Sequence, residues 1–245
     1  MRYPDITRLY KYCPYNENYL YILINRKIWF SNPALFNDPF DCKYKFKDQV
    51  DRSEFIKYAS KHIPESLPEL KNLSEKDNAY NTIVNNMTEN AYKDLHNAGV
   101  FCLSRYDNNI LMWSHYADGH KGFCIEFERN SDPDNDLGNY DMTSQVKYIR
   151  SDYEKVTILN KNSSDMYFYT KAKNWKYEGE WRLISKKHSE TRRLPGKITA
   201  IIFGLRMCNY HKETIRNILS DLSHIKYRKA KEVPNQYNIM IVDDM

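Results

Sequence analysis

Residues 99–128 read "GVFCLSRYDNNILMWSHYADGHKGFCIEFE", and this stretch decides the fold because it holds a strand, a helix and a second strand in succession. "GVFCLSRY" (99–106) and "KGFCIEFE" (121–128) are apolar runs typical of strands. "NILMWSHYAD" (109–118) is long enough for two or three helical turns, and Gly119 ends it. We therefore expect two strands with a short helix between them.

The same reading extends outward in both directions. Upstream, "RLYKYC" (8–13) and "IWFS" (28–31) predict strands, with a helix capped by Asn16 between them. Residues 48–98 carry apolar residues at three- and four-residue spacing, which predicts a helical insertion or cap. Downstream we predict strands at 145–149, 179–185, 198–204, 223–230 and 236–242, and helices at 163–175 and 209–222. The pattern predicts one α+β domain over residues 1–245.

Composition sets limits on location and partners. The net charge of +5 is mild, so it permits contact with nucleic acid or nucleotide phosphates without requiring it. Five scattered cysteines without C-x-x-C spacing fit a reducing compartment and no zinc site. His115 and His120 are five residues apart, which does not suit a helical metal pair, so no metal is expected. The N-terminal residues do not resemble a signal peptide, and no run approaches membrane-spanning length. We expect a cytoplasmic protein without membrane contact.

The central stretch supplies the first set of candidate site residues. Trp113 and Tyr116 share a helical face, and they either pack the helix onto the sheet or form a stacking surface for a flat ring. Ser104 and Arg105 follow a strand, where they can reach phosphate or ribose oxygens. His115 could serve as a general base, but the sequence identifies no nucleophile for it.

A second candidate cluster is "KYEGEWRLIS" (176–185), in which Glu178, Glu180 and Arg182 alternate. In an extended chain these three side chains point to one face. The arrangement is either a structural ion pair or a carboxylate held to stabilise a positively charged transition state, as when a glycosidic bond opens. Glu180, Glu178 and Arg182 are therefore the candidate catalytic residues.

The loop "NDPFD" (37–41) is the third candidate. The side chains of Asn37 and Asp41 can cap the backbone of a turn whose shape the intervening proline fixes. Phe36 and Phe40 are expected to anchor the loop in the core. The loop is either a rigid turn or the wall of a pocket, with Asp38 or Asp41 facing a ligand.

These motifs together resemble a known family. "LYKY", "IWFSNPALFNDPFD", "FCLSRYDNNILMWSHYADGHKGFCIEF" and "WKYEGEWRLI", in this order, are similar to the bacterial DUF2971 proteins, which are named for their unknown function. A later segment, "IIFGLRM", also looks like that family. The resemblance runs from about residue 9 to about residue 206, with the helical block as its variable part, and it implies no established activity.

The order of the parts also resembles the ADP-ribosyltransferase layout. That layout implies a central split sheet, mixed or antiparallel, that clamps NAD. It also implies a polar residue on the first strand, an aromatic ring against nicotinamide and a glutamate on the ribose. By position these are Lys11, then Tyr116 or Trp113, and then Glu180 or Glu178. Lys11 stands where the layout has histidine or arginine, and lysine lacks the bidentate geometry of arginine.

Two hypotheses about function follow. In the first, the chain is an NAD-dependent ADP-ribosyltransferase or an NAD glycohydrolase-like effector, with a protein or nucleic acid as an acceptor. Glu180 then stabilises the transition state, Arg182 orients it, and Ser31, Ser104 and Arg105 hold the ribose or diphosphate. In the second, the same motifs form a non-catalytic module of a bacterial stress or defence system that binds a nucleotide or peptide. The two differ in whether Glu180 opens to a cleft or is closed off by Arg182.

Overall fold

The computed structural model describes residues 3–43, 46, 50–74, 77–139, 141–149, 157–159 and 163–244, without the side chains of residues 67, 73, 74, 77 and 163–165. The α+β class is confirmed. The helices are α1 (Glu17–Asn25), α2 (Arg52–His62), α3 (Leu67–Ser74), α4 (Asp77–Asn97), α5 (Ile110–Tyr116), α6 (Ser163–Phe168) and α7 (Asn209–Ile218). The strands are β1 (Arg8–Cys13), β2 (Lys27–Trp29), β3 (Gly99–Ser104), β4 (Phe123–Glu128), β5 (Thr143–Gln145), β6 (Lys147–Ile149), β7 (Thr170–Ala172), β8 (Glu180–Ser185), β9 (Thr191–Arg193), β10 (Ile198–Phe203), β11 (Lys226–Glu232) and β12 (Ile239–Asp243).

Eight strands form one sheet in the order β12-β11-β10-β4-β1-β3-β8-β5. Strands β10 and β11 are parallel, as α7 connects them, and the other neighbours in this sheet are antiparallel. Two short ribbons lie outside it, an antiparallel pair of β2 and β9 and a parallel pair of β6 and β7. Because β10 and β11 are parallel and the other neighbours are antiparallel, the eight-stranded sheet is mixed.

The middle of the sheet is split. Strand β1 pairs with β4 along its whole length, but it pairs with β3 only where Tyr10 faces Ser104. The ammonium of Lys11 reaches across the gap and donates to the carbonyl of Cys102 at 3.0 Å. This hydrogen bond gives a partner to the Cys102 carbonyl, which the pairing of β3 with its neighbours leaves without one.

Both faces of the sheet are covered. Along β4, Phe123, Ile125 and Phe127 pack into the core beneath α1 and α7, whereas Cys124 packs with α5 on the opposite face. This alternation follows from the two-residue period of a strand. Helix α1 begins at the predicted cap, where the Asn16 side chain accepts from the backbone N–H of Tyr19 at 3.2 Å. None of the helices in the described ranges has the length and apolar character needed to cross a membrane.

Helices α2, α3 and α4 occupy the predicted helical block, of which residues 48, 49, 75 and 76 lie outside the described residues. The block has a small core of its own, formed by Val50, Phe55, Tyr80 and Val84. The end of α4 packs through Leu95 against the main body.

The helix predicted over residues 163–175 is wrong in its second half. Helix α6 ends at Phe168, and the chain then forms β7 and a 3₁₀ helix, Lys173–Glu178. Strand β7 runs parallel to β6, with Lys171 facing Tyr148 in the register. The apolar spacing of "MYFYTKAKNW" resembles a helix, but pairing with β6 overrides that local pattern.

Candidate functional site

A cavity of about 360 Å³ opens at the split between β1 and β3. Its walls come from β1, the loop of residues 31–41, β3, α5, β7 and the start of β8. Side chains from both faces of β1 line it, Lys11 on one face and Tyr10 and Tyr12 on the other, because the strand leaves its neighbour at this point. The volume lies within the range of small-molecule sites.

Glu178 and Glu180 enter this cavity from either side of a turn. Glu178 ends the 3₁₀ helix, Gly179 has a φ of 51°, and Glu180 begins β8. The prediction that both glutamates and Arg182 alternate on one extended strand is therefore wrong for Glu178. The side chains still converge, because the left-handed residue reverses the chain between the two glutamates.

Lys171 joins the two glutamates. Its ammonium lies 2.5 Å from a carboxylate oxygen of Glu178, 3.1 Å from one of Glu180 and 3.3 Å from one of Asp41. The Lys171 side chain is almost fully buried. Burial alone would lower its pKa, but the three carboxylates outweigh burial and raise the pKa, so Lys171 carries a charge here.

Arg182 closes the other side of Glu180. Its guanidinium donates to both oxygens of Glu180, at 2.6 and 3.0 Å, and to Asp41 at 2.6 Å. It also donates to the carbonyl of Phe168 at 2.7 Å and to the thiol sulfur of Cys42 at 3.3 Å. Arg182 is completely buried, so this set of acceptors replaces its hydration. The arginine holds Glu180 in one orientation at the edge of the cavity.

The loop of residues 37–41 is fixed by its acids. Asp38 caps the turn by accepting from the backbone N–H of Phe40 at 2.9 Å, and Asp41 accepts from that of Cys42 at 2.8 Å. Asn37 instead donates to the hydroxyl of Tyr116 at 3.5 Å. The expectation that Phe40 anchors the loop is wrong, because 70% of this residue is exposed. The loop is held by the ion pairs of Asp41, which need no apolar anchor at residue 40.

The pKa values of the two glutamates move in opposite directions. Burial and the charge of Glu180 raise the pKa of Glu178 to about 7. Burial opposes ionisation of Glu180, but Arg182 and Lys171 outweigh it and lower the pKa to about 2. The three carboxylates and two cations are formally neutral when Glu178 is protonated, and they carry one negative charge when it is ionised. Two carboxyls with separated pKa values are a pattern of acid–base catalysis.

Tyr116 completes the surroundings of Glu178. Its hydroxyl donates to the second carboxylate oxygen of Glu178 at 2.6 Å. Burial and the charge of Glu178 raise the pKa of Tyr116, so the phenol keeps its proton and remains a donor. His115, one residue earlier, is exposed and also lines the cavity.

Two predicted serines lie at the cavity in different ways. Ser31 lines it and pairs with Val100 of β3. Ser104 also lines it, but its hydroxyl donates to the carbonyl of Glu178 at 2.6 Å and accepts from the N–H of Tyr106 at 3.0 Å. Ser104 therefore positions the backbone that carries Glu178.

Besides Arg182, three predicted residues lie outside the cavity lining. Trp113 is fully buried and donates its indole N–H to the carbonyl of Asp107 at 2.8 Å, as the packing alternative expected. Arg105 is exposed and lies over the ring of Tyr106. Asp38 is buried within its own turn. Nine of the thirteen predicted residues thus line the cavity, and Arg182 reaches it through Glu180.

Sequence reasoning missed Lys171 and the cavity tyrosines other than Tyr116. Lys171 shares its segment with Lys173 and Lys176, and nothing in the sequence separates the buried lysine from its exposed neighbours. Tyr10 and Tyr12 are the neighbours of Lys11, a predicted site residue, in strand β1. Their position next to Lys11 is the sequence signal that could have identified them. Cys102 is also in the lining, opposite Lys11.

Comparison with known proteins matches part of the chain to a family model. A family model described as "Protein of unknown function (DUF2971)" matches residues 112–183, which confirms the resemblance to that family over this segment. The matched segment includes Tyr116, Lys171, Glu178, Glu180 and Arg182. Neither a curated protein nor a solved structure matches the chain, so the ADP-ribosyltransferase layout gains no support from this source.

Proposed function

We propose that the cavity at the split binds NAD and that the chain is an enzyme that breaks the bond between nicotinamide and ribose. One observation carries the proposal. Lys11, Tyr116, Glu178 and Glu180 come from three distant parts of the sequence, and all of them line one cavity. A cavity of about 360 Å³ is near the lower end for ligand sites, so we expect it to enclose the nicotinamide riboside half of the dinucleotide.

The two glutamates take different roles in this reaction. As the C–N bond breaks, its electron pair leaves with nicotinamide and positive charge develops on the ribose. Glu180, ionised over the physiological range, stabilises that charge from a fixed position. Water or an acceptor hydroxyl then adds to the ribose carbon and gives its proton to Glu178, whose pKa of about 7 suits a general base.

The remaining residues position these groups. Arg182 and Lys171 hold Glu180, and Tyr116 fixes Glu178 by its hydrogen bond. When Glu178 is ionised, the group has one uncompensated negative charge, which favours the cationic pyridinium of NAD and the cationic transition state. We also place the reaction in the cytoplasm, since all five cysteines are free thiols.

A second function is favoured by the contacts of Glu180. Both of its carboxylate oxygens are hydrogen-bonded by Arg182, as expected if the glutamate is part of an internal ion-pair network. In that case the cavity is the site of a non-catalytic module that binds a nucleotide or a similar small molecule. Glu178 then tunes binding through its protonation, and no bond is broken.

The test is calorimetric titration with NAD, with nicotinamide release measured chromatographically on the same samples. We expect wild type to bind NAD and release nicotinamide, and Glu178→Gln and Glu180→Gln each to lower the release rate about 100-fold or more. Glu232→Gln, an exposed glutamate in β11 that does not line the cavity, serves as the matched control. Binding without release in wild type favours the non-catalytic module. Absence of binding at millimolar NAD contradicts the proposal.

A further inference from the structure

The short ribbon of β2 and β9 has one face directed away from the core. In its register Lys27 faces Arg193 and Trp29 faces Thr191, and all four of these residues are exposed. Ile28, between them, is fully buried. Trp29 is 48% exposed, whereas Trp113 and Trp181 are buried. A large aromatic side chain therefore lies on an outward surface where alternation gives it no core contact.

Positive charge is concentrated around this tryptophan. Strand β2 and residues 186–193 contain five lysines and arginines and one carboxylate, Glu190, in a chain whose net charge is only +5. Residues 186–190 lie beside the ribbon, because the N–H of Ser189 donates to the carbonyl of Phe30 and the N–H of Phe30 donates to that of Glu190. The ribbon and the segment beside it thus carry five basic residues against one acid, a local excess of four positive charges.

Not all of these cations are available to a partner. Arg193 pairs with Asp136 at 2.9 Å and donates to the carbonyl of Asp134, and Arg192 lies over the ring of Phe30. Lys27, Lys186 and Lys187 are exposed, and no carboxylate of the described residues forms an ion pair with them. The patch therefore offers three lysines beside an exposed indole.

We propose that the outward face of the β2–β9 ribbon binds single-stranded nucleic acid, with a base stacked on Trp29 and phosphates contacting Lys27, Lys186 and Lys187. An exposed aromatic ring within a basic surface is the combination that single strands require, since every base has a face that can stack. A duplex does not offer an unstacked base, so the same surface favours single strands. The charge complementarity selects a polyanion over an apolar protein surface.

The ribbon leads directly to the cavity. Ser31, two residues after Trp29, is part of the cavity wall, and two residues of extended chain span about 7 Å. The binding proposal rests on the ribbon alone and does not depend on the reaction proposed for the cavity.

The experiment is a titration with fluorescein-labelled oligo(dT) and oligo(U) of about 12 nucleotides, followed by anisotropy at about 50 and about 200 mM salt, without NAD. We expect binding that weakens with salt, and Trp29→Ala to bind about 5- to 100-fold more weakly while Trp29→Phe retains most of the affinity. Replacing Lys27, Lys186 and Lys187 by alanine should reduce the slope of log K against log salt by about 2. Binding should also quench tryptophan emission in wild type, because Trp29 is the most exposed of the four tryptophans.

The matched control is Tyr210→Ala, which removes a 78% exposed aromatic residue from α7 and should leave the affinity unchanged. Thermal unfolding of every variant is measured to check that each remains folded. Absence of binding by wild type at low salt overturns the proposal, and so does an unchanged affinity in Trp29→Ala. Either negative result leaves the cavity proposal intact, because the assay contains no NAD.

Discussion

Asp41 and Arg182 are 141 positions apart in the sequence, and a hydrogen bond of 2.6 Å between carboxylate and guanidinium joins them inside the molecule. This contact fastens the loop of residues 37–41 to the first part of β8. It explains why a loop near the start of the chain carries two acids. One caps the loop's own turn, and the other holds the arginine that orients Glu180.

Asp41→Asn should destabilise the protein by about 2–4 kcal/mol, because Arg182 and Lys171 each lose a buried charge partner while the shape of the side chain is kept. The free energy of unfolding from urea denaturation measures the effect. Asp38→Asn is the matched control, since asparagine can also cap the turn and Asp38 has no ion pair with a described residue. Equal losses in the two variants would contradict a specific role for the Asp41 ion pairs.

Lys171→Met should cost about 3–5 kcal/mol near pH 7.5, because it leaves three buried carboxylates with one cation. The loss should shrink toward pH 5, where the carboxyls of the variant take up protons in the folded state. Lys173→Met, two residues further along on an exposed side chain, should lie within about 0.5 kcal/mol of wild type. A loss independent of pH would show that packing, and not charge, accounts for the effect.

Stability should also depend on pH through Glu178 in wild type. Its pKa is near 4.5 when unfolded and about 7 when folded, so the folded state binds more protons between these values. The free energy of unfolding should therefore fall as the pH rises through this window, on the order of 1–3 kcal/mol in total. Glu180 acts in the opposite sense below pH 4.5, where its lowered pKa makes stability fall as the pH falls. Urea denaturation of wild type and Glu178→Gln from pH 4.5 to 8 should show the steeper slope in wild type, and parallel curves would contradict the raised pKa.

The fold was predictable where local pattern and tertiary structure agree. Residues 8–13 alternate as a strand does and residues 99–104 and 123–128 are apolar runs, and the structure places all three strands side by side at the centre of the sheet. The prediction failed at 170–172, where the local spacing resembles a helix but the chain pairs with β6. Short strands at an edge depend on their partner more than on their own residues.

The candidate site was predictable in its polar motifs, because the acids clustered at residues 37–41 and 178–182 are informative without a structure. Lys171 was not, since its importance comes from being buried, and an adjacent run of lysines hides the buried one. The opposite pKa values of Glu178 and Glu180 were equally inaccessible. The two pKa values depend on which carboxylate faces Arg182 once the turn at Gly179 has formed. In the sequence, two glutamates separated by one glycine look equivalent.

Gly179 forms the turn between the two glutamates. Comparing its replacement with that of Gly119 separates the cost of backbone strain from the disruption of the site. Gly179→Ala puts a Cβ on a residue with a φ of 51° and within 2.5 Å of the Tyr106 ring and 2.7 Å of the Arg105 side chain, so we expect a loss of about 2–4 kcal/mol. Gly119 is the matched control, because its φ of 56° is similar but nothing lies within 4 Å of the added Cβ. Gly119→Ala should cost only about 1 kcal/mol.

Urea denaturation compares the two variants, and a carboxyl titration by NMR follows Glu178. The pKa of Glu178 should shift in Gly179→Ala and stay unchanged in Gly119→Ala, because only the first substitution moves the turn that sets the two glutamates apart. Equal destabilisation with an unmoved pKa in both variants would mean that the turn does not position the glutamates.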